Sequence, residues 1–310
     1  MTHDVAVLIP CYNEQATIAD VVSDFRRFLP GCAVFVYDNA STDGTMAAAA
    51  AAGAMVRSEP LRGKGNVVRR MFADVEADVY VLVDGDGTYD AASAPALLNE
   101  LLSGPLDLVN AARIDTAQAA YRSGHRFGNW LLTTTVAQLF GKRFTDMLSG
   151  YCVMSRRFVK SFPALSAGFE IETELTVHAL QLRVPIAELP TPYRERPPGS
   201  FSKLKTYRDG LRILRTIGSL LRDERPMAFF GCTGLIAALA SIVLVIPLFE
   251  EYMRTGLVPR LPTAVLATGL MIIACLSFTC GLILQTVTRG RLELKRLHYS
   301  SIPLKTPQRP

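Results

Sequence analysis

Zinc and redox chemistry are the first things missing from this sequence. Its six cysteines include no C-x-x-C pair, the spacing on which such sites are built. Cys11, Cys32 and Cys152 are scattered, Cys232, Cys275 and Cys280 lie within apolar runs, and all read as small apolar side chains. The four histidines show no metal-ligand spacing, so His178 and the others read as structural. No G-x-G-x-x-G follows the first apolar run, where P-C-Y-N-E stands instead, which speaks against a dinucleotide-binding turn. R-G-K-G-N, residues 62–66, lacks the spacing of a Walker loop, which speaks against ATP hydrolysis.

Charge is missing from two long stretches. Phe229–Phe249 and Val265–Val287 contain no Asp, Glu, Lys or Arg, and each is about as long as the twenty or so residues that cross a bilayer. Two such segments in tandem read as transmembrane helices; a hydrophobic dimerisation hairpin is the alternative. Arg212, Arg215, Arg222 and Arg225 precede the pair, and Arg289, Arg291, Lys295 and Arg296 follow it. In the short connection, Arg254 and Arg260 are offset by Glu250 and Glu251. The positive-inside rule then puts both termini in the cytoplasm. MTHD leads straight into a strand with no signal peptide before Val5, so residues 1 to about 226 are expected to be cytosolic, on a bacterial-type inner membrane. Gly231, Gly234, Gly269 and Gly281 permit close helix packing between subunits, hence a homo-oligomer of unspecified number.

What is present begins with the net charge of +5. From Lys203 to Arg222, Leu204, Tyr207, Leu211, Leu214, Ile217 and Leu221 recur at helical spacing with basic residues between them. That pattern suits a helix lying among anionic lipid headgroups, or an amphipathic helix docked on its own domain. Nucleic acid is a poor partner, because the basic residues hug the apolar segments and form no patch interleaved with aromatics.

Before residue 200, strands and helices alternate. Val5–Ile9, Ala33–Tyr37, Ala54–Ser58, Val79–Val83 and Leu106–Asn110 read as strands, and Ile18–Phe28, Thr45–Ala52, Val67–Glu76 and Ala92–Leu102 as helices. Repeated β-α units imply an α/β fold with a mainly parallel sheet, whose strand carboxyl ends share one ligand crevice. The first strand ends in LIPCYNE, the second in YDNASTDGT and the fourth in DGDGTYD, so Glu14, Asp38, Asp84 and Asp86 would crowd together there. Four carboxylates in one cleft need compensation, and a hard divalent ion, Mg²⁺ or Mn²⁺, bridging a nucleoside diphosphate provides it. A tight Asp-Gly turn with solvated carboxylates is the plainer reading of D-G-D.

LIPCYNE, DNASTDGT, RGKGN and DGDGTYD, in that order, resemble the family 2 glycosyltransferases of GT-A fold, and within them the polyprenyl-phosphate branch that includes dolichyl-phosphate mannose and glucose synthases. The resemblance covers residues 4 to about 210 and implies a Rossmann-like GT-A domain over 1–200, an interface helix over 201–226 and a two-helix membrane domain with a cytosolic tail over 227–310. It implies that Pro10, Tyr12, Glu14, Asp38, Lys64 and Asp84 hold the donor nucleotide, and that Asp84 and Asp86 meet the metal, with Asp86 at the reacting centre. Thr88 stands where some members carry Gln. DMLSGYCVMSRR resembles the family's D-x-x-S-G-F/Y segment, which makes Asp146 the carboxylate nearest the acceptor; a cap before a strand is its plainer reading. Arg122 and Arg126, four apart, form a fork suited to phosphate, or are solvated surface arginines. Arg196, Ser202 and Lys203 match the family's R…G-x-S-K loop, a lid at the lipid phosphate. One of Glu170, Glu172 and Glu174 in FEIETEL is expected to touch the donor sugar, unless this is a solvated acidic helix.

The implied reaction is inverting transfer of one sugar from a nucleoside-diphosphate sugar, UDP-glucose, UDP-N-acetylglucosamine or GDP-mannose, to a polyprenyl phosphate. A processive polysaccharide synthase would carry Q-x-x-R-W, whereas the one tryptophan, Trp130, sits in RFGNW, and two spans are too few for a polymer channel. A sugar nucleotidyltransferase would need a glycine-rich opening that is missing. A membrane-tethered scaffold that binds sugar nucleotides without turnover, or transfer to another lipid or glycan acceptor, are the remaining alternatives.

Overall fold

Every residue of β1 (Val5–Cys11) is buried, the mark of a strand covered on both faces. In this computed structural model, which describes residues 3–115, 144–168, 170–194 and 221–303 together with 134, 137, 218 and 219, β1 is an interior strand of a seven-stranded sheet. It pairs in parallel with β2 (Ala33–Asp38) and β4 (Val79–Leu82), and β3 (Met55–Ser58) adds in parallel beyond β2. The connections run through α1 (Ile18–Phe28), α2 (Thr45–Ala51) and α3 (Lys64–Asp74). α1 buries Ile18, Val21, Val22 and Phe25, the i, i+3, i+4, i+7 stripe that seats a helix on a sheet. Phe25 meets Tyr151 edge-to-face, with ring centroids 5.9 Å apart. Truncating it to alanine removes about 3–5 kcal/mol of core packing.

α4 (Ala94–Ser103) leads into β5 (Leu108–Asp115), followed by β6 (Cys152–Ser155), α5 (Arg156–Ser161), α6 (Ile171–Leu182) and β7 (Ile186–Tyr193). The strand order is β3-β2-β1-β4-β6-β5-β7, with β6 antiparallel to both neighbours and β5 parallel to β7. Reversal at β6 matters for the site. It restores β5 to the direction of β4, so the carboxyl ends of β1, β2, β4 and β5 share one edge, and the segment entering β6 starts from that same edge. The fold is therefore the expected α/β sheet, mainly parallel. β6 and β7 have no counterpart among the expected strands, and α3 begins three residues earlier than its apolar periodicity indicated.

The chain forms two compact units, 1–211 with 295–310, and 212–294. In the first, Tyr299 donates to Asp107 at 2.6 Å and Arg157 to the Ile302 carbonyl at 3.0 Å, at the β5 end remote from the shared edge. The second holds the apolar helices α7 (Pro226–Thr255) and most of α8 (Leu261–Ser301), both long and apolar enough to cross a membrane. Ser241 Oγ donates to the Ala267 carbonyl at 2.7 Å, and Gly234 lets α7 approach the backbone of Ala274. Gly281 likewise faces Met227 and Phe230, so two of the four glycines expected at a subunit contact serve the packing of α7 on α8, while Gly231 and Gly269 face open space.

Candidate active site

Two buried glycines and a locked turn deliver the acidic residues of β4 to the sheet edge. Gly85 passes so close to Cys11 and Glu14 that a Cβ there would collide with both, and its carbonyl accepts from Thr17 Oγ1 at 2.7 Å. Asp86 is 5% exposed and accepts from Thr88 Oγ1 at 2.6 Å and from Thr88 N at 3.2 Å. Thr88 thus holds the Asp86 carboxylate through both its hydroxyl and its backbone N–H. On the other side, a Cβ on Gly150 would strike the Asp84 carboxylate, and Gly150 N donates to Tyr89 Oη at 2.7 Å. The S-G-Y segment before β6 needs glycine for this close approach.

Asp84 pairs with Lys64, whose ammonium also reaches Glu172 Oε1 at 2.6 Å. Lys64 opens α3 behind Gly63, which sits at φ 125°, ψ 134°, a region open to glycine. Asn39, directly after β2, holds that turn: its Oδ1 accepts from Gly63 N at 2.6 Å and its Nδ2 donates to the carbonyls of Glu59 and Leu61. Gly65 N donates to the Ala167 carbonyl at 3.1 Å, and a side chain at either glycine would run into residues 166–167. Burial alone would discharge Lys64, but the adjacent Asp84 and Glu172 outweigh it and raise its pKa well above the ordinary value. Burial raises the pKa of Glu172, an effect Lys64 only partly offsets.

Burial pushes the Cys11 thiol up, and the negative charges of Glu14, Asp38 and Asp84 add to that rise. Asp38 pairs with Cys11 across β2 and β1, and Gly85, between Asp84 and Asp86, passes against Cys11 and Glu14, so the three strand ends are neighbours. Asp38 is 2% exposed; its Oδ2 accepts from Ser41 N at 2.9 Å, and its Oδ1 is buried with no hydrogen-bond partner among the described residues. An orphaned buried acceptor costs about 1–3 kcal/mol, so this oxygen is suited to a ligand N–H or O–H. Pro10 lies in β1 opposite Tyr37, and the Arg62 guanidinium stands 5.9 Å from the ring centroid of Tyr12.

Asp146 lies at the same edge with an unforeseen partner. Arg113, near the end of β5, donates from Nε to Oδ2 at 2.6 Å and from an Nη to Oδ1 at 2.8 Å, a two-point fork. Asn110 holds the Asp146 carbonyl at 2.7 Å, Glu188 accepts from Thr145 N and Asp146 N, and the guanidinium lies 5.4 Å over the Tyr193 ring. Of the three glutamates in FEIETEL, Glu172 faces the cleft. Glu174 instead accepts from Leu165 N and Ser166 N at 2.9 and 2.8 Å, which supports the loop under Gly65. Arg122, Arg126, Arg196, Ser202 and Lys203, Trp130, and residues 203–217 of the amphipathic segment lie outside the described residues.

Residues 6–162 match the Glycosyl transferase family 2 domain, which spans the whole edge from β1 past β6. The chain belongs to glycosyl transferase family 2. Among its relatives, the glycosyltransferase AglJ of Haloferax volcanii is 33% identical over 269 residues, 86% of this chain and 88% of AglJ. The dolichyl-phosphate hexose transferase of the same organism is 28% identical over 222 residues, 72% of this chain and 96% of its own. In structure, glucosyl-3-phosphoglycerate synthase from Mycobacterium tuberculosis, crystallised with Mn²⁺, uridine diphosphate and glucosyl-3-phosphoglycerate, superposes with a TM-score of 0.57 and 26% identity over 71% of this chain and 79% of that one. The fold is thus the GT-A-like α/β core of the family 2 glycosyltransferases. Among the described residues of this glycosyltransferase, no three His, Cys, Asp or Glu side chains group as a ready metal cage. The residues present nonetheless fit a hard divalent ion: Asp84 and Asp86 are oxygen donors one glycine apart, and such ions commonly take one or two carboxylates and fill the rest of their shell with water and phosphate oxygens.

Proposed function

We propose that this family 2 glycosyltransferase moves a single sugar from a nucleoside-diphosphate sugar to a polyprenyl phosphate, giving a polyprenyl-monophosphate-linked sugar. The observation that carries the reading is one chain holding both acids at the carboxyl ends of β2 and β4, with Lys64 paired to Asp84, and two helices long and apolar enough for a bilayer. The dolichyl-phosphate hexose transferase relative supports a lipid phosphate as acceptor. Pro10, Tyr12, Glu14, Asp38 and Lys64 hold the nucleotide, with Asp38 Oδ1 accepting from the base or ribose and Tyr12 offering a ring face beside Arg62. Asp84 and Asp86 hold Mg²⁺ or Mn²⁺, whose contribution is to neutralise charge on the leaving diphosphate.

A phosphate monoester has its second ionisation near pH 6, so the acceptor arrives largely ionised and needs little deprotonation. Asp146 accordingly positions rather than deprotonates: both its oxygens already accept from Arg113, and the pair is held by Asn110 and Glu188. Arg122, Arg126, Arg196, Ser202 and Lys203 provide the cationic and hydroxyl contacts to the lipid phosphate. Residues 1–200 form the catalytic domain, 201–226 an interface helix and 227–310 the membrane hairpin with its tail, both termini lying on the cytoplasmic side of a bacterial-type inner membrane.

The test is release of nucleoside diphosphate from UDP-glucose, UDP-N-acetylglucosamine and GDP-mannose by the full chain in nanodiscs with Mn²⁺, with and without undecaprenyl phosphate. Release stimulated by the lipid and lost in Asp86→Ala supports the reading. Binding of sugar nucleotide without any release would make the protein a scaffold.

A further inference from the structure

Lys64 is the one basic side chain that the described structure places directly between the metal-side carboxylate and α6. Its side chain is 7% exposed, against 26% for Asp84 and 11% for Glu172. It is fixed at both ends, by Gly63 and Asn39 beneath the turn and by Glu172 beyond the ammonium. Glu172 is held by α6, whose first turn rests on the loop that receives Gly65. The buried charge here is the Lys64 ammonium, which is stable because it is paired with both Asp84 and Glu172, and a divalent ion binding Asp84 would meet that ammonium.

We propose that Lys64 is a resident placeholder cation: it and the divalent ion compete for Asp84, and Glu172 is the carboxylate that retains the ammonium when Asp84 turns to the metal. The inference rests on the donor-site reading given above and adds an order to it. An ammonium and a divalent ion repel each other at one carboxylate, so metal alone binds weakly. A nucleoside diphosphate brings anionic oxygens that accept from the displaced Lys64 and also ligate the metal, so metal and nucleotide bind together far more tightly than either does alone. Glu172 is then a positioning residue, acting on the donor through Lys64.

The two partners of the ion-pair chain are distinguished by opposite signs. Removing the ammonium in Lys64→Met takes this competitor away from Asp84 and tightens binding of Mn²⁺ in the absence of nucleotide. Removing the retaining charge in Glu172→Gln leaves the ammonium on Asp84 alone and weakens it. The experiment is Mn²⁺ titration of the full chain in nanodiscs, read by electron paramagnetic resonance of free Mn²⁺, without nucleotide and then with UDP or GDP. Lys64→Met is expected to tighten metal-only binding about tenfold, equivalent to about 1.4 kcal/mol, and to abolish most of the synergy with nucleotide. Glu172→Gln is expected to loosen metal-only binding several-fold. The double variant Lys64→Met/Glu172→Gln, which buries no unpaired glutamate, guards against a folding defect in the first and is expected to follow it. Weaker metal-only binding in both Lys64 variants, with wild type still binding nucleotide and Mn²⁺ together, overturns the placeholder and leaves the donor site standing. Failure of wild type to bind either nucleotide with Mn²⁺ overturns the donor-site reading and the placeholder with it.

Discussion

Replacing Asp146 with alanine takes the carboxylate away from a guanidinium that is 13% exposed, from a partner itself 10% exposed. Breaking one side of a buried ion pair costs about 3–5 kcal/mol, because the remaining charge keeps its desolvation penalty and loses the carboxylate it faced. For a unit of this size, 1 kcal/mol corresponds to about 2–4 °C in Tm, so the midpoint should fall by about 6–20 °C. Asp146→Asn keeps the volume and one acceptor, loses the charge-assisted character of the fork, and should cost about 1.5–3 kcal/mol. The assay is thermal unfolding of the full chain in detergent for Asp146→Asn, Arg113→Met and the double variant, with transfer rates alongside. In the double-mutant cycle the two changes should be less than additive by at least about 1 kcal/mol, since both remove one interaction. The pH–rate profile separates positioning from base catalysis: Asp146→Asn should lower the rate and leave the acid limb of kcat/KM in place. A Tm change below about 2 °C, strict additivity, or disappearance of that limb would refute the assignment.

Gly63→Ala should destabilise by several kcal/mol and abolish donor binding, because the residue sits at φ 125° and a Cβ would meet the Ala167 carbonyl; circular dichroism melting and nucleotide titration check both. Thr88→Val, which keeps the shape and removes the hydroxyl held by Asp86 at 2.6 Å, should weaken Mn²⁺-nucleotide affinity about ten- to a hundredfold with a change in Tm of only about 2–6 °C. His178 is buried between Phe158 and Phe162, and burial lowers its pKa from 6.5 to about 3. The unfolded chain therefore binds the extra proton between those values. Stability is fully present above about pH 6.5 and falls by up to about 1.4 kcal/mol per pH unit as the solution is acidified toward pH 3. His178→Leu should flatten that slope between pH 6 and pH 4 in denaturant titrations, and an unchanged slope would show that other groups control it. Chelation of divalent ions should abolish lipid-dependent nucleotide release, with recovery on adding Mn²⁺ but not Na⁺.

α1 was legible to its last residue because Ile18, Val21, Val22 and Phe25 are both periodic and buried, so local pattern and tertiary packing agree. The acidic ends of β2 and β4 were legible because a two-sided apolar strand must deliver its polar termini to the sheet edge. Lys64 was expected near the nucleotide, but its helix was expected to start at Val67; the signal for the earlier start is Gly63, whose unusual backbone turns the chain directly into α3. β6 is four residues long and antiparallel, too short for a period to register, and it was missed along with β7. Arg113 lay beyond the expected end of its strand at Asn110, since A-A-R-I-D has weak strand character and is held in the sheet by pairing with β7. Among the three FEIETEL glutamates, helical spacing puts Glu170 and Glu174 on one face and Glu172 on another. Only its partner, Lys64, distant in sequence, shows that this face is the one toward the cleft.

The central claim, single-sugar transfer to a polyprenyl phosphate, is tested most directly by mass spectrometry of the lipid after incubating the full chain in nanodiscs with undecaprenyl phosphate, Mn²⁺ and each nucleotide sugar in turn. The expected product is a new lipid heavier by one hexosyl or N-acetylhexosaminyl residue, still carrying a single phosphate, and absent with Asp86→Ala. A diphosphate-linked sugar, a polymer, or an unmodified lipid while sugar passes to another acceptor would contradict it.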